Sequence, residues 1–246
     1  MQQNQQNILF IVIIVSAFLL IPVFMFFSNR GKEPQIHSEP PQKLVKNDVE
    51  DLGEMKLNVE ENNVMEENGK MTVQEKTQVT QPEMQIDTNK KYSALVKTSE
   101  GDINIVLNVA ETPITVNNFV SLAKMGFYDD VIFHRVINGF MIQSGDPLGN
   151  GIGGPAYKFD DEKFTGEYLR GTVAMANVGP NTNGSQFFIM HQDNTLPKNY
   201  VIFGEVTDGL DTVDKIATAE VKASATGERS TPVNPVKITS VEIIEE

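Results

Sequence analysis

Two stretches hold the side chains from which chemistry could be built. They are Phe133 to Asp146, FHRVINGFMIQSGD, and Met175 to Met190, MANVGPNTNGSQFFIM. The first sets Arg135 among apolar residues, with Phe140, Met141 and Gln143 shortly after it. The second adds Asn177, Gln186 and Phe188 around a glycine-rich turn. Strand alternation puts Phe133, Arg135 and Ile137 on one face, and His134 and Val136 on the other. A guanidinium beside an apolar pocket and two amides contains no nucleophile and no general base. It suits a reaction that needs neither. Spacing alone favours a plainer reading, in which Arg135 pairs with an acidic neighbour and the aromatics are core.

Other candidate groups offer less. The chain has no cysteine, so disulfides, thiolate zinc sites and cysteine nucleophiles are excluded together. Its histidines, His37, His134 and His191, lack zinc-ligand spacing. His134 reads as a hydrogen-bonded core histidine. Gly149, Gly151 and Gly154 match a dinucleotide fingerprint, but Pro155 and AYKFDDEKF follow without a helical period, so a connecting loop is expected. Gly179 to Gly184 resembles part of a calcium loop but lacks its carboxylates and reads as a turn. Asn183-Gly184-Ser185 is a formal glycosylation sequon. Asp160, Asp161 and Glu162 read as a solvated loop, with nothing apolar beside them to raise a pKa. No serine sits in a nucleophile elbow. With 33 acidic against 20 basic residues, the net charge of −13 argues against a nucleic-acid partner.

The elements that must position Arg135 begin near Tyr92. YSALVKT and DINIVLN alternate about Ser99 to Gly101, which predicts a hairpin. Thr112-Pro113 reads as a helix cap and first turn, with Val116, Phe119, Val120 and Ala123 on one face and Gly126 closing. Short strands are expected at Val131 to Arg135, Phe140 to Ser144, Thr172 to Ala176, Gln186 to Met190, Val201 to Val206 and Val236 to Ile244. A helix is expected over about Leu210 to Thr218. Eight strands and two helices predict a mostly β fold: a closed eight-stranded antiparallel barrel capped by two α-helices, filled by its own side chains and active on its outside.

Ahead of this domain (91–246), residues 1–7 read as a short tail. Ile8 to Phe27, 20 residues without charge, reads as a transmembrane helix or signal anchor in preference to a cleaved signal peptide. Residues 28–90 read as a disordered polar linker. Arg30 and Lys32 after the span favour a cytoplasmic domain. A long polar spacer favours the extracytoplasmic side. The question stays open, with the extracytoplasmic side preferred.

Together the two stretches, with LPKNYVIFGEV after them, resemble the cyclophilin family of peptidyl-prolyl cis-trans isomerases over about Tyr92 to Glu246. The resemblance implies a barrel capped by two helices, isomerisation of X–Pro bonds in proline-containing polypeptide clients, and no cofactor or metal. It implies Arg135 as the catalytic arginine. Phe140, Met141, Phe188 and Leu196 would form a proline pocket. Gln143 and Gln186 would be polar positioning groups, Ala176 and Asn177 contacts to the substrate backbone, and Ile137 and Val178 the groove edge. Tyr200 stands where many members have histidine. Asn138 replaces a common proline, and Ser144 replaces glycine or alanine. Thr195 lies near where many eukaryotic members place tryptophan, so weak cyclosporin binding is expected. The alternative is a module on the same scaffold that holds proline-containing segments or acts as a chaperone with little turnover.

Overall fold

The computed structural model describes residues 69–246. The expected anchor at 8–27 and the linker up to residue 68 lie outside the described residues. Among those described, no helix is long and apolar enough to cross a membrane.

Tyr92–Thr98 (β1) and Gly101–Leu107 (β2) form the predicted hairpin, with Val96 opposite Ile103 and Ala94 opposite Ile105. All four of these side chains are buried, as strict alternation requires of a sheet with one covered face. The remaining strands of the main sheet are Arg135–Ile137 (β3), Met141–Ser144 (β4), Thr172–Met175 (β5), Phe187–Met190 (β6), Ile202–Asp208 (β7) and Ile238–Glu245 (β10). They assemble in the order β10-β1-β2-β7-β5-β6-β4-β3, with every pairing antiparallel. The sheet curls into an eight-stranded half-barrel. The expectation of a closed barrel is met in part. No strand ladder joins β3 to β10, and the edges meet instead through a bridge between Ile132 and Lys237. Flanking it are bonds from Phe133 N to Val236 O (3.0 Å) and from Ile238 N to Val131 O (2.8 Å). Residues 131–133, expected to begin a strand, are used in this join, and regular alternation starts only at Arg135. Phe133 therefore enters the core while Arg135 stays outside.

The hollow of the sheet is filled. Val173, Phe187, Ile189 and Phe203 meet Phe119 from Pro113–Lys124 (α2). The Phe119 ring lies 5.1 Å from Tyr128, 5.6 Å from Phe187 and 5.3 Å from Phe203, centroid to centroid. Such offset and edge-on contacts add to simple burial. The predicted helical face is buried as expected. Thr112, however, makes no side-chain cap and donates instead to Asn108 O (3.2 Å). The cap comes from Glu162, whose carboxylate accepts from Ile114 N (2.9 Å), Thr115 N (2.6 Å) and Thr115 Oγ1 (2.6 Å). A carboxylate there satisfies orphan N–H groups and meets the positive end of the helix dipole. Its neighbour Asp161 accepts from Asn181 and Asn183, and the acidic run is a brace. Leu210–Ala217 (α3) buries Val213, Ile216 and Ala217, as its spacing requires.

Three elements differ from expectation. From Gly69 the polar stretch belongs to the fold. Val73–Gln78 (α1) carries a capping box between Thr72 and Glu75, and Asn117 holds the chain at Gln85 N (2.8 Å), Ile86 N (3.3 Å) and Glu83 O (3.0 Å). The linker thus gives way to ordered chain before Lys90. The other two are Val221–Ala223 (β8) and Arg229–Pro232 (β9), which form a separate two-stranded hairpin.

Candidate active site

The strands that fill the hollow also build a second apolar cluster on their other side. Along β6, Phe187 and Ile189 point inward while Phe188 and Met190 point outward. Along β4, Ile142 points inward and Met141 outward. The outer cluster comprises Met141, Tyr168, Ala174, Phe188 and Met190, with Ile137, Phe140, Ala176, Leu196 and Tyr200 partly buried against it. Phe188 and Tyr200 meet edge to face at 5.6 Å, and Tyr168 holds Tyr200 in place by donating to its carbonyl (2.9 Å).

This cluster floors a cavity of about 200 Å³ lined by Arg135, Phe140, Met141, Gln143, Ala176, Asn177, Phe188, Leu196 and Tyr200. Nine of the twelve site residues expected from the sequence are therefore brought together. The other three are placed differently. Val178 is 88% exposed, beyond the lining. Ile137 packs on the cluster from outside the cavity. Gln186 lies behind Gln143 with its amide fully engaged: it accepts from Gln143 Nε2 (2.9 Å) and donates to Gly151 O (3.1 Å) and Gly153 O (2.9 Å). A larger concavity, about 440 Å³, is lined by residues of β2 and β7 and by 165–172. Glu111, Glu167 and Glu205 line it, and it holds neither arginine nor aromatic side chains.

Arg135 reaches the cavity from β3 opposite Gln143 in the β3–β4 ladder. Its Nη1 points to Gln143 Oε1 (3.4 Å) and lies 3.9 Å from Met141 Sδ. Its Nε and Nη2 both donate to Glu228, at 2.8 Å each, so the plainer sequence reading of an acidic partner also holds. This pair keeps the Glu228 carboxyl below its ordinary pKa. No signal in the sequence links Glu228 to Arg135, 93 residues away.

The glycine-rich loop after β4 completes the support. Asp146, fully buried, accepts from Leu148 N (2.7 Å), Asn150 N (3.0 Å) and Gly151 N (2.6 Å). A Cβ at Gly153 would stand 1.9 Å from Asp146 Oδ1, which explains glycine there. The loop so folded delivers the carbonyls that hold Gln186, which holds Gln143, which faces Arg135. Asn138 and Ser144 fit without distortion. Residues 137–140 close a turn through Phe140 N to Ile137 O (3.0 Å), with Gly139 at φ 78°, as a type II turn requires. Ser144 Oγ donates to Ile132 O (3.0 Å).

Asn177 gives its side chain to the loop, donating to Asn199 O (2.7 Å) and accepting from Gly179 N (3.3 Å). Its main-chain N–H and C=O make no hydrogen bond among the described residues, and Asn177 is one of the residues that line the cavity. His134, expected to be hydrogen-bonded, is buried with neither ring nitrogen partnered among the described residues. Burial, reinforced by Arg135 and opposed by Asp146, holds its pKa below the ordinary histidine value. No group of histidine and acidic side chains able to hold a metal ion occurs among the described residues.

Comparison with known proteins gives consistent results. A family model described as "Cyclophilin type peptidyl-prolyl cis-trans isomerase/CLD" matches residues 93–243. The chain is similar to the probable peptidyl-prolyl cis-trans isomerase B of Mycobacterium tuberculosis (strain CDC 1551 / Oshkosh). They are 45% identical over 168 residues, 61% of this chain and 54% of the relative. The chain thus spans about half the length of that relative. It is also 43% identical to the peptidyl-prolyl cis-trans isomerase-like 3 of Gallus gallus over 152 residues, 59% of this chain and 92% of the relative. The crystal structure of a cyclophilin type peptidyl-prolyl cis-trans isomerase of Cryptosporidium parvum superposes with a TM-score of 0.56 at 35% identity, covering 63% of this chain and 99% of that one. A second crystal structure of that protein, obtained in the presence of the dipeptide Ala-Pro, superposes with a TM-score of 0.55.

Proposed function

The chain belongs to the cyclophilin-type peptidyl-prolyl cis-trans isomerase family, and from that premise we propose that it accelerates isomerisation of X–Pro bonds in polypeptide clients, with Arg135 as the catalytic group. One observation carries the reading: a guanidinium nitrogen, Arg135 Nη1, stands beside a cavity whose lining combines Phe140, Met141, Phe188 and Leu196 with two amides and a phenol and includes no carboxylate, histidine, serine or cysteine.

The uncatalysed barrier of roughly 18–20 kcal/mol arises from partial double-bond character in the C–N bond. Both X–Pro isomers are populated, and they exchange over roughly tens to hundreds of seconds. In the twisted transition state resonance is lost and the prolyl nitrogen regains a lone pair. A cationic donor aimed at that nitrogen binds the twisted form more strongly than either planar form, which is the condition for catalysis. Arginine suits the task because its charge does not titrate and its fork is rigid. Phe140, Met141, Phe188 and Leu196 grip the proline ring. The free main-chain groups of Asn177 pair with the client backbone, so that rotation is confined to one bond. The Ala-Pro dipeptide named for the Cryptosporidium protein is the minimal ligand of this type. The test is the isomerisation rate of a peptide with one Ala-Pro bond in the presence of the purified full chain. Acceleration over buffer is expected, and none would end the proposal.

The same proposal includes the membrane. Residues 8–27 form an uncharged apolar run of bilayer length, which supports an anchor, and the long polar spacer after it supports the extracytoplasmic side for the isomerase domain, against the pull of Arg30 and Lys32. Recovery of the full chain in the soluble fraction would rule out the anchor. Protection of residues 28–68 from added protease in intact cells would rule out the side. Cyclosporin is proposed to bind weakly, because the chain has no tryptophan to stand near Thr195; nanomolar affinity by titration calorimetry would contradict this.

A further inference from the structure

One side of the Arg135 fork faces the cavity, and the other is engaged by a hairpin outside the main sheet. β8 and β9 pair with Val221 opposite Pro232, and Ser224 N donates to Glu228 O (2.8 Å) across the turn. Gly227 N donates to Ser224 O (3.0 Å), and the Ser224 and Thr226 hydroxyls lie 2.9 Å apart. Glu228 is thereby fixed at the end of a short closed turn, next to Ser230, which is buried on β9. From there its two oxygens accept from Nε and Nη2 of Arg135 at 2.8 Å each. Nothing else in the described structure holds those two nitrogens. Gln143 reaches only Nη1, at 3.4 Å.

We propose that Glu228 is a positioning residue for the isomerase reaction, an inference that rests on the function proposed above. The two-point pair fixes both the plane and the rotation of the guanidinium, because a carboxylate matches the Nε–Nη2 edge of the fork in one orientation. With that edge occupied, Nη1 is the one nitrogen presented to the client, directly over Met141 and beside Gln143. Arg135 sits on a strand of three residues at the edge of the sheet, with its side chain 35% exposed. Without Glu228 the long side chain would sample several rotamers, and the productive one would have to be selected at each turnover. Displacement of a catalytic group by about 1 Å can cost roughly a hundredfold in rate. The carboxylate also screens part of the positive charge, but a single defined donor is worth more to a transition state than a mobile full charge.

The experiment compares the full chain with Glu228→Gln, Glu228→Ala and, as control, Glu242→Gln, which removes only an exposed pair with Lys97 on β1. Exchange spectroscopy on an Ala-Pro peptide gives kcat and KM for each. Both Glu228 variants are expected to lower kcat roughly ten- to hundredfold, with KM within about twofold and the control unchanged. Glutamine fills the same space, so a merely structural role would be rescued by Glu228→Gln, and an orienting charge would not. In the same samples the Arg135 Nε–H signal should be protected from exchange in the parent chain and lose that protection in both variants. A parent chain that accelerates exchange while Glu228→Gln matches or exceeds its kcat overturns this inference alone. So does a loss confined to KM, or an Nε–H signal unchanged by the substitution. A parent chain no faster than buffer overturns the isomerase reading and this inference together.

Discussion

Two arginines in this molecule each grip a carboxylate with two prongs, and they serve opposite ends. Arg170 closes on Asp214 of α3 at 2.7 and 3.0 Å, and its Nη1 also donates to His191 O (2.8 Å) at the end of β6. His191 extends the clasp: its Nε2 lies 3.2 Å from Asp214 Oδ1, and its Nδ1 accepts from Gly139 N (2.9 Å). All of these groups satisfy one another. Arg135 is held as firmly along one edge, yet its third nitrogen is left over a cavity, and the histidine beside it, His134, has no partner for either ring nitrogen among the described residues. A closed network adds rigidity. A network left open at one atom stores an unmet interaction for a ligand to complete.

The largest test of this contrast is Arg135→Ala. Its removal should lower the isomerisation rate by two to three orders of magnitude, about 2.7–4 kcal/mol of transition-state stabilisation, with little change in Tm. Arg135→Lys should restore little of it, because an ammonium cannot present the rigid fork. If exchange spectroscopy finds Arg135→Ala as fast as the parent, the twisted-state mechanism is wrong even where activity is real. Next in size, Gln186→Ala removes the acceptor that holds Gln143 Nε2 and leaves the carbonyls of Gly151 and Gly153 without that donor. A rate loss of about tenfold is expected, corresponding to about 1.4 kcal/mol. Arg170→Ala should invert the pattern. Stability should fall by about 1–2 kcal/mol in urea melts, while kcat of the folded protein is retained. A large kcat loss in Arg170→Ala would erase the distinction between clasp and poised group.

The difference between the two arginines also marks what the sequence could and could not reveal. Arg135 is legible only from the two stretches taken together: spacing alone favours an ion-paired arginine, and simple alternation groups it with Phe133, which enters the core, whereas it is the pairing of β3 with β4 that sets Gln143 and Met141 beside it. The order along the chain of the eight main strands and of α2 and α3 is legible from local patterning. Glu228 is not, since its contact is set by where a hairpin of little apolar content comes to rest. VKA and RSTP lack the alternation that announces a strand, and their burial is mostly on one side. In the sequence Glu162 reads as solvated because its partners, the first N–H groups of α2, lie 47 and 48 residues away. The helix α1 did leave a trace, the Thr72-x-x-Glu75 capping box, which the surrounding polar composition obscured.

The two histidines provide a smaller test. His134 is neutral in the folded protein and its pKa is lowered chiefly by burial, whereas in the unfolded chain it titrates at about 6.5. As pH falls below that value the unfolded state binds the extra proton. Stability should decline with a slope of at most about 1.4 kcal/mol per pH unit, until the folded value is reached and the slope vanishes. His134→Leu should flatten this part of a stability profile taken between pH 7 and 5. An unchanged profile would mean that His134 finds a partner in solution, and the contrast with His191 would be lost.

The smallest effect belongs to Asp214, and its sign distinguishes it from His134. Its carboxyl is held below the ordinary value first by the hydrogen bonds from Arg170, with His191 contributing less. A depressed folded pKa gives stability that is fully present above the unfolded value of about 3.9 and is lost as pH falls through the folded one. Protonation of Asp214 should therefore play no part between pH 7 and 5, where His134 acts, and should loosen the Arg170–Asp214 pair only below about pH 4. Because Asp214 is 45% exposed, solvent screens most of the interaction, and the loss should stay under about 1 kcal/mol. Asp214→Asn should remove the acid step while leaving the slope between pH 7 and 5 intact, and His134→Leu should do the reverse. If either variant removed both steps, the two arginine networks would be coupled through β4 and β6, and the poised site would depend on the clasp behind it.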